Sequence, residues 1–334
     1  MGQHSGMNTS CAGLILDDSP HYLDHLAPFC AQMGWPLIVC EERIAALCQK
    51  FYPMTYLIET NFFHLDLPPC VVSCNIRPFL TSALGPFSSW QGRLIWLPHG
   101  QSDKGWKSPY FEALGTEDLL LVYGERMREV LRRKNVHLPQ ISVGNYRWQF
   151  YQTHRSFYNQ LLDIQPFILY APTWDDSEQN SSFWAVFDSL LAAVPKEQHL
   201  LIKVHPNTAK MAPGKLEKCR GKMAHLPNIS FLDDFPPIYP LLDKAIAYIG
   251  DMSSIGYDYL RFNRPLFFLT PQPINPSQPH AFLMQWGTQV SYNEIQEIFA
   301  RKPSVLQRST NALFDEIDLE TTVRTINHWI ATWT

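Results

Sequence analysis

The chain of 334 residues has no run of about 18 apolar residues, so no segment reads as a membrane-spanning helix. It also carries little charge. Asp, Glu, Lys and Arg make up 17% of the residues, against about 25% in an average soluble protein. With 27 basic and 31 acidic side chains the net charge is −4, which gives nucleic acid no electrostatic attraction. Cysteine is present but unpatterned: seven residues, an odd number, with no CxxC pair. That pattern excludes a disulfide framework and suits reduced thiols in a reducing compartment. Walker loop and GxGxxG are both missing, which removes nucleoside-triphosphatase and dinucleotide readings. The first ten residues, MGQHSGMNTS, lack the basic and apolar regions of a secretory leader. Together these absences point to a cytoplasmic protein.

What remains is apolar and aromatic. Apolar residues reach 46%, aromatic residues 13%, and there are ten Trp. That composition argues against disorder and for substantial cores. The length favours two domains of about 150 residues each. Short apolar runs alternate with helical patterns, the sign of parallel α/β architecture. The first half predicts strands at 12–16, 37–39, 55–58, 70–73, 93–97, 119–122 and 140–143. The second predicts them at 167–171, 199–204, 228–232, 245–249 and 265–269. Helices are expected at 41–50, 124–134, 182–193, 213–224, 237–242, 254–262, 292–300 and 319–333. Residues 144–165 show no strand alternation and serve as the boundary, giving domains 1–150 and 151–334. The Pro-rich stretch 270–279 is a loop by composition.

In a parallel sheet, ligands bind beyond the carboxyl ends of the strands. Four segments place polar residues there. In LIWLPHGQSDKG an apolar strand runs straight into His99, Gly100 permits close backbone approach, and Lys104 is a cation five residues on. In LLIKVHPNT Lys203 and His205 are two apart, so on a strand they share a face, and Pro206 stops the ladder behind them. In AIAYIGDMSSIGYDYL Asp251, Ser253 and Ser254 open a helix whose free amides suit an anion. In FILYAPTWDD Thr173 and Trp174 follow a strand. Each segment has a bland alternative: a turn histidine, a snorkelling lysine, an ordinary helix cap, a packed-down loop. His21, Asp24 and His25 lie within one helical turn and imitate a metal site, but they follow Pro20 near a helix start and read as structural. No cofactor and no metal centre are expected.

Taken together and in this order, the segments resemble the CDP-glycerol glycerophosphotransferase family, the teichoic-acid-type polyol-phosphate transferases and polymerases. Trp96, His99, Gly100 and Lys104 are similar to its tryptophan-histidine-glycine stretch with a following lysine. Ala171 to Trp174 match an alanine-proline-threonine-aromatic motif, and Lys203, His205 and Pro206 a lysine-x-histidine-proline motif. Asp251, Ser253, Ser254 and Asp258 match an aspartate-x-serine-serine motif with a later aspartate. Gly144, Tyr146 and Arg147 resemble the region between its lobes. The chain departs from the family at Gln101, Ser102 and Asp103, where members carry proline and a second basic group.

The resemblance implies a GT-B-like α/β fold: two Rossmann-like domains facing a central cleft, with a C-terminal helix closing the structure. It implies an N-terminal acceptor domain and a C-terminal nucleotide-donor domain. It makes His99 and His205 the catalytic candidates, with Lys104, Lys203, Thr173, Asp251, Ser253 and Ser254 toward the donor phosphates and Gly100, Trp174 and Asp258 in support. The expected reaction moves a glycerol-phosphate or similar group from a CDP-activated donor to an acceptor hydroxyl and releases CMP. A glycan or lipid-linked acceptor, and peripheral contact with the inner membrane face, stay open at this stage. Two rival readings keep the fold: a glycosyltransferase or sugar-nucleotide epimerase, and a catalytically silent nucleotide-binding homologue.

Overall fold

The computed structural model describes residues 10–85, 89–103, 109–162, 164–175, 181–300 and 313–332. Among them, thirteen strands form two wholly parallel sheets. The first holds β1 (Cys11–Ile15), β2 (Leu37–Val39), β3 (Leu57–Glu59), β4 (Cys70–Ser73), β5 (Arg93–Trp96), β6 (Leu119–Val122) and β7 (Gln140–Ser142), in the order β3-β2-β1-β4-β5-β6-β7. The second holds β8 (Phe167–Tyr170), β9 (Leu200–Ile202), β10 (Ile229–Phe231), β11 (Ala245–Gly250), β12 (Leu266–Thr270) and β13 (Thr288–Ser291), in the order β10-β9-β8-β11-β12-β13. Both orders build outward on one side of the first strand and then on the other. The order therefore reverses between β1 and β4, and again between β8 and β11, where open α/β sheets bind ligands.

The central strands are apolar because helices cover both faces of a parallel sheet. CAGLI of β1, CVVS of β4, LLLV of β6 and FILY of β8 are buried along their whole length. Gly13 in β1 is a packing requirement. A Cβ there would sit 2.4 Å from Cys30 Sγ and 2.8 Å from Leu37 Cδ1, so the bare glycine lets the helix Pro20–Met33 lie close on the sheet. That helix begins with Pro at its first position and ends at Gly34 with φ of 68°, the left-handed cap glycine favours. In the second unit Phe183, Val186 and Leu190 from the helix Phe183–Ala193 pack with Ile202, Ile249 and Leu269 of the strands.

The chain divides into two compact units. One contains Met1–His99, Pro109–His154 and Asn311–Thr334; the other contains Gly100–Ser108 and Arg155–Thr310. This differs from a simple division at residue 150. The last segment belongs with the first unit because its backbone and side chains bond there. Asp315 N–H donates to the Tyr123 carbonyl at 2.9 Å. The Asp315 carboxylate accepts from Arg128 at 2.8 Å and from Ser142 Oγ at 2.6 Å. Gln149 Nε2 donates to the Ile317 carbonyl at 2.8 Å. The helix Leu319–Ala331 then follows, capped by Asp318, which accepts from Thr321 N–H at 2.8 Å.

Other departures are local. The stretch 144–165 contains the helices Tyr146–Thr153 and Arg155–Leu161. The helix Arg77–Leu84 and the strand β13 were not expected.

Candidate functional site

In the second unit, three of the sequence segments leave neighbouring strands at the same edge of the sheet. β9 leads to Lys203 and His205, β8 to Ala171–Trp174, and β11 to Asp251–Ser254, and these strands lie side by side as β9-β8-β11. The carboxyl ends around the β8–β11 reversal therefore carry all three segments.

Lys203 and His205 are not strand residues. β9 ends at Ile202, although Lys203 N–H still donates to the Tyr170 carbonyl at 2.9 Å. His205 caps the helix Pro206–Met211: its Nδ1 accepts the backbone N–H of Asn207 at 3.1 Å. An Nδ1 that accepts cannot carry the ring proton, so in the neutral ring the proton is on Nε2. The Trp174 ring lies 6.2 Å from the His205 ring at 33°, and both residues are half-buried.

Asp251 has a different part from the phosphate contact read from its sequence. The residue is 2% exposed. Its Oδ1 accepts from Thr173 N–H at 2.8 Å, and its Oδ2 accepts from Ser182 N–H and Ser182 Oγ, each at 2.9 Å. A carboxylate that already takes three donors, and is itself anionic, holds the loop after β8 rather than a phosphate. Asp258 is likewise buried and accepts from the Tyr239 hydroxyl at 2.9 Å. Ser253 caps the short helix Ser254–Tyr259 through Ile255 N–H at 3.4 Å, which is the ordinary structural use of that serine. Ser254 is half-buried at the helix start. Thr173 is buried; its carbonyl accepts from Ser181 Oγ at 2.8 Å.

Asp103, where the chain departs from the family pattern, is buried within the second unit. It accepts from the Tyr257 hydroxyl at 2.5 Å and from Leu283 N–H at 2.9 Å. Lys104 lies outside the described residues.

In the first unit His99 leaves β5 beside β4 and is exposed. Three rings surround it: Tyr22 at 5.4 Å, His21 at 6.0 Å and Tyr110 at 6.2 Å between centroids. The Tyr22 hydroxyl donates to Asn75 Oδ1 at 3.2 Å, tying the first helix to the end of β4. Burial, with Cys74, Tyr110 and Asp17 nearby, pushes the Tyr22 hydroxyl far above its usual pKa, so it stays neutral. Gly100 has φ of 123°, a conformation that favours glycine immediately after His99.

Sequence reasoning passed over Tyr22, and set His21, Asp24 and His25 aside as structural. The helix they start follows the first strand, and in this strand order that position is the reversal point. Asp24 and His25 are indeed bound inside the unit. Asp24 Oδ2 accepts from Arg147 at 2.8 Å and Oδ1 from the Tyr52 hydroxyl at 3.3 Å. His25 Nδ1 lies 3.0 Å from the Tyr123 hydroxyl.

Residues 145–275 match the family model CDP-Glycerol:Poly(glycerophosphate) glycerophosphotransferase. The matched span contains the segments around Trp174, His205 and Ser254. No curated protein matches the chain in sequence. Among solved structures, the wall teichoic acid polymerase TagF, in a variant soaked with CDPG, is 13% identical with a TM-score of 0.58. That match covers 97% of this chain and 88% of TagF. MnaA of S. aureus, in a co-structure with UDP, is 13% identical over 96% of each chain, with a TM-score of 0.60. UDP-GlcNAc 2-epimerase of Methanocaldococcus jannaschii, in complex with UDP-GlcNAc and UDP, is 13% identical over 97% of this chain and 100% of its own, also at 0.60. At such identities the likeness concerns the fold, which is GT-B-like with two parallel-sheet α/β domains.

Proposed function

We propose that the chain moves a glycerol-phosphate or similar polyol-phosphate group from a CDP-activated donor to an acceptor hydroxyl, releasing CMP. The observation that supports this reading most is at the carboxyl edge of the second sheet. There His205, its Nδ1 committed to Asn207, carries its proton on Nε2 beside Trp174, just beyond the end of β9 at Ile202, with Lys203 close in sequence. An N–H donor and a cation after one strand end suit the oxygens of a diphosphate.

In the proposed reaction the acceptor oxygen attacks the phosphorus that bears the glycerol. The bond from that phosphorus to the oxygen bridging to the CMP phosphate breaks, and CMP leaves with the electron pair. An alcohol is a weak nucleophile at neutral pH, so His99, in the proposed acceptor domain, takes its proton. Lys203 and the Nε2–H of His205, in the proposed donor domain, offset the charge that builds on the diphosphate. Ser254 and Lys104 complete the proposed phosphate contacts, and Trp174 offers a ring wall beside His205. Seven free thiols support a reducing, cytoplasmic setting. No described helix is long and apolar enough to cross a membrane.

Incubation with CDP-glycerol, followed by separation of released nucleotides, tests the reading. CMP release that depends on an added polyol or glycan acceptor is the expected result. A second reading, a GT-B enzyme acting on a UDP-sugar, rests on the fold shared with MnaA and the epimerase. Turnover of UDP-GlcNAc without turnover of CDP-glycerol would replace the first reading with the second. Binding of a nucleotide with no turnover of either donor would leave a silent homologue.

A further inference from the structure

His99 is exposed, yet its backbone is held from inside the first unit. The Tyr123 hydroxyl donates to the carbonyl oxygen of Pro98 at 2.8 Å. The same hydroxyl oxygen lies 3.0 Å from His25 Nδ1. A carbonyl oxygen only accepts, so the single Tyr123 proton is committed to Pro98, and the second bond must take its proton from Nδ1 of His25. The His25 ring is buried. Burial first, then the charges of Arg147, His99 and His21, lowers its pKa well below 6.5, so the ring is neutral. Its one proton is therefore on Nδ1.

We infer that Tyr123 and His25 are positioning residues for His99: a buried relay runs from His25 Nδ1–H through Tyr123 Oη–H to the Pro98 carbonyl and fixes the peptide that carries His99. The inference rests on the reading of His99 as the base of the proposed reaction.

The peptide unit is planar, so its atoms move together. The Pro98 oxygen shares that plane with the His99 nitrogen and Cα, so holding the oxygen restrains the plane and with it the seat from which the His99 side chain leaves. Downstream Gly100 follows with φ of 123°, so the chain turns away directly after His99. Tyr123 is well placed to act as the post. It directly follows β6, is 1% exposed, stacks on Tyr146 at 6.1 Å and 11°, and meets Phe314 edge-on at 5.8 Å. His25 comes from the helix Pro20–Met33, whose first turn also supplies His21 and Tyr22 to the rings around His99. One helix thus approaches the histidine from both its backbone and its side-chain side.

The test uses the full chain. Tyr123→Phe keeps the stacked ring and removes the proton that reaches Pro98; His25→Gln serves as a second variant if the first folds poorly. Turnover of CDP-glycerol, CDP-glycerol affinity and the ring signals of 13C-labelled histidines are measured, with His99 assigned from the spectrum of His99→Ala. Tyr123→Phe is expected to lower kcat by about 10- to 100-fold, the scale of a misplaced catalytic group, with donor Kd within about twofold. In the His99→Ala background it should lower kcat no further, since both changes act through one group. The His99 ring signal should broaden, or its titration midpoint shift, in both variants. Multiplying effects in the double variant would overturn the relay, as would a His99 signal identical to the parent's. Full turnover by His99→Ala would instead defeat the reading of His99 as base, and the ring signal would still decide whether the relay holds it.

Discussion

Asn207 gives its backbone N–H to Nδ1 of His205 at 3.1 Å, which leaves that imidazole able to donate from Nε2 and unable to act as a base there. Replacement by Asn separates the two jobs, because Asn is also a good cap. His205→Asn is expected to melt within about 0.5 kcal/mol of the parent. Donor affinity should fall by about tenfold, the scale of one hydrogen bond to a charged group. Parallel melting curves and CDP-glycerol titrations check this, and unchanged affinity would return His205 to a purely structural cap.

Asp251 takes three donors in a buried place, so its removal strands the amides of Thr173 and Ser182 together with the Ser182 hydroxyl. Asp251→Ala should cost about 3 kcal/mol in a denaturant midpoint measurement, from uncompensated polar groups. A cost below about 1 kcal/mol would mean that water replaces the carboxylate readily, and that the loop after β8 has other anchors.

The buried pair of Arg147 and Asp24 is a lock rather than a source of net stability. Their side chains are 4% and 11% exposed, with 2.8 Å between them. Arg147→Met should destabilise by about 3–5 kcal/mol because it leaves Asp24 charged and unpaired. The double change Arg147→Met with Asp24→Leu should recover much of that loss. Equal melting of the single and double variants would contradict this account.

His25 makes stability fall on the acid side. Its folded-state pKa lies well below 6.5, so near neutrality the fold keeps the ring neutral while the unfolded chain takes up a proton from about pH 6.5 downward. This contribution is present above pH about 6.5 and is lost as pH drops from there toward the folded pKa. Melting temperatures measured from pH 7.5 to 5 should decline more steeply for the parent than for His25→Gln. Parallel curves would assign the acid loss to other groups.

The strands were legible because a parallel sheet covered on both faces makes its strands apolar throughout, as in LLLV of β6 and FILY of β8. β13 escaped because TQVS buries only Val290, and four residues carry too little pattern. The segments at strand ends were also legible, since Pro98-His99-Gly100 and Val204-His205-Pro206 punctuate apolar runs. Their inner geometry was not. Alternation put Lys203 and His205 on one strand face, whereas β9 stops at Ile202 and His205 turns back to cap the next helix. Asp251 looked like part of an anion site because its partner Ser182 is 69 residues away, and nothing local shows that the carboxylate is already occupied. The Arg147–Asp24 pair spans 123 residues. Long-range pairing of polar groups leaves no mark on a single sequence.

The return of residues 313–332 to the first unit has a consequence for the order of synthesis. Two glycines are the seats for that return. A Cβ at Gly124 would meet the Leu313 carbonyl at 2.8 Å, and one at Gly144, where φ is 55°, would meet the Asp315 carbonyl at 2.4 Å. These seats are translated early, but their occupant emerges only after the whole second unit. On a ribosome, where the amino-terminal domain usually finishes first, the first unit of this chain is therefore expected to finish last. The unit built from Arg155–Thr310 has every residue it needs, apart from Gly100–Ser108 already made, while the first still waits with Gly124 and Gly144 uncovered.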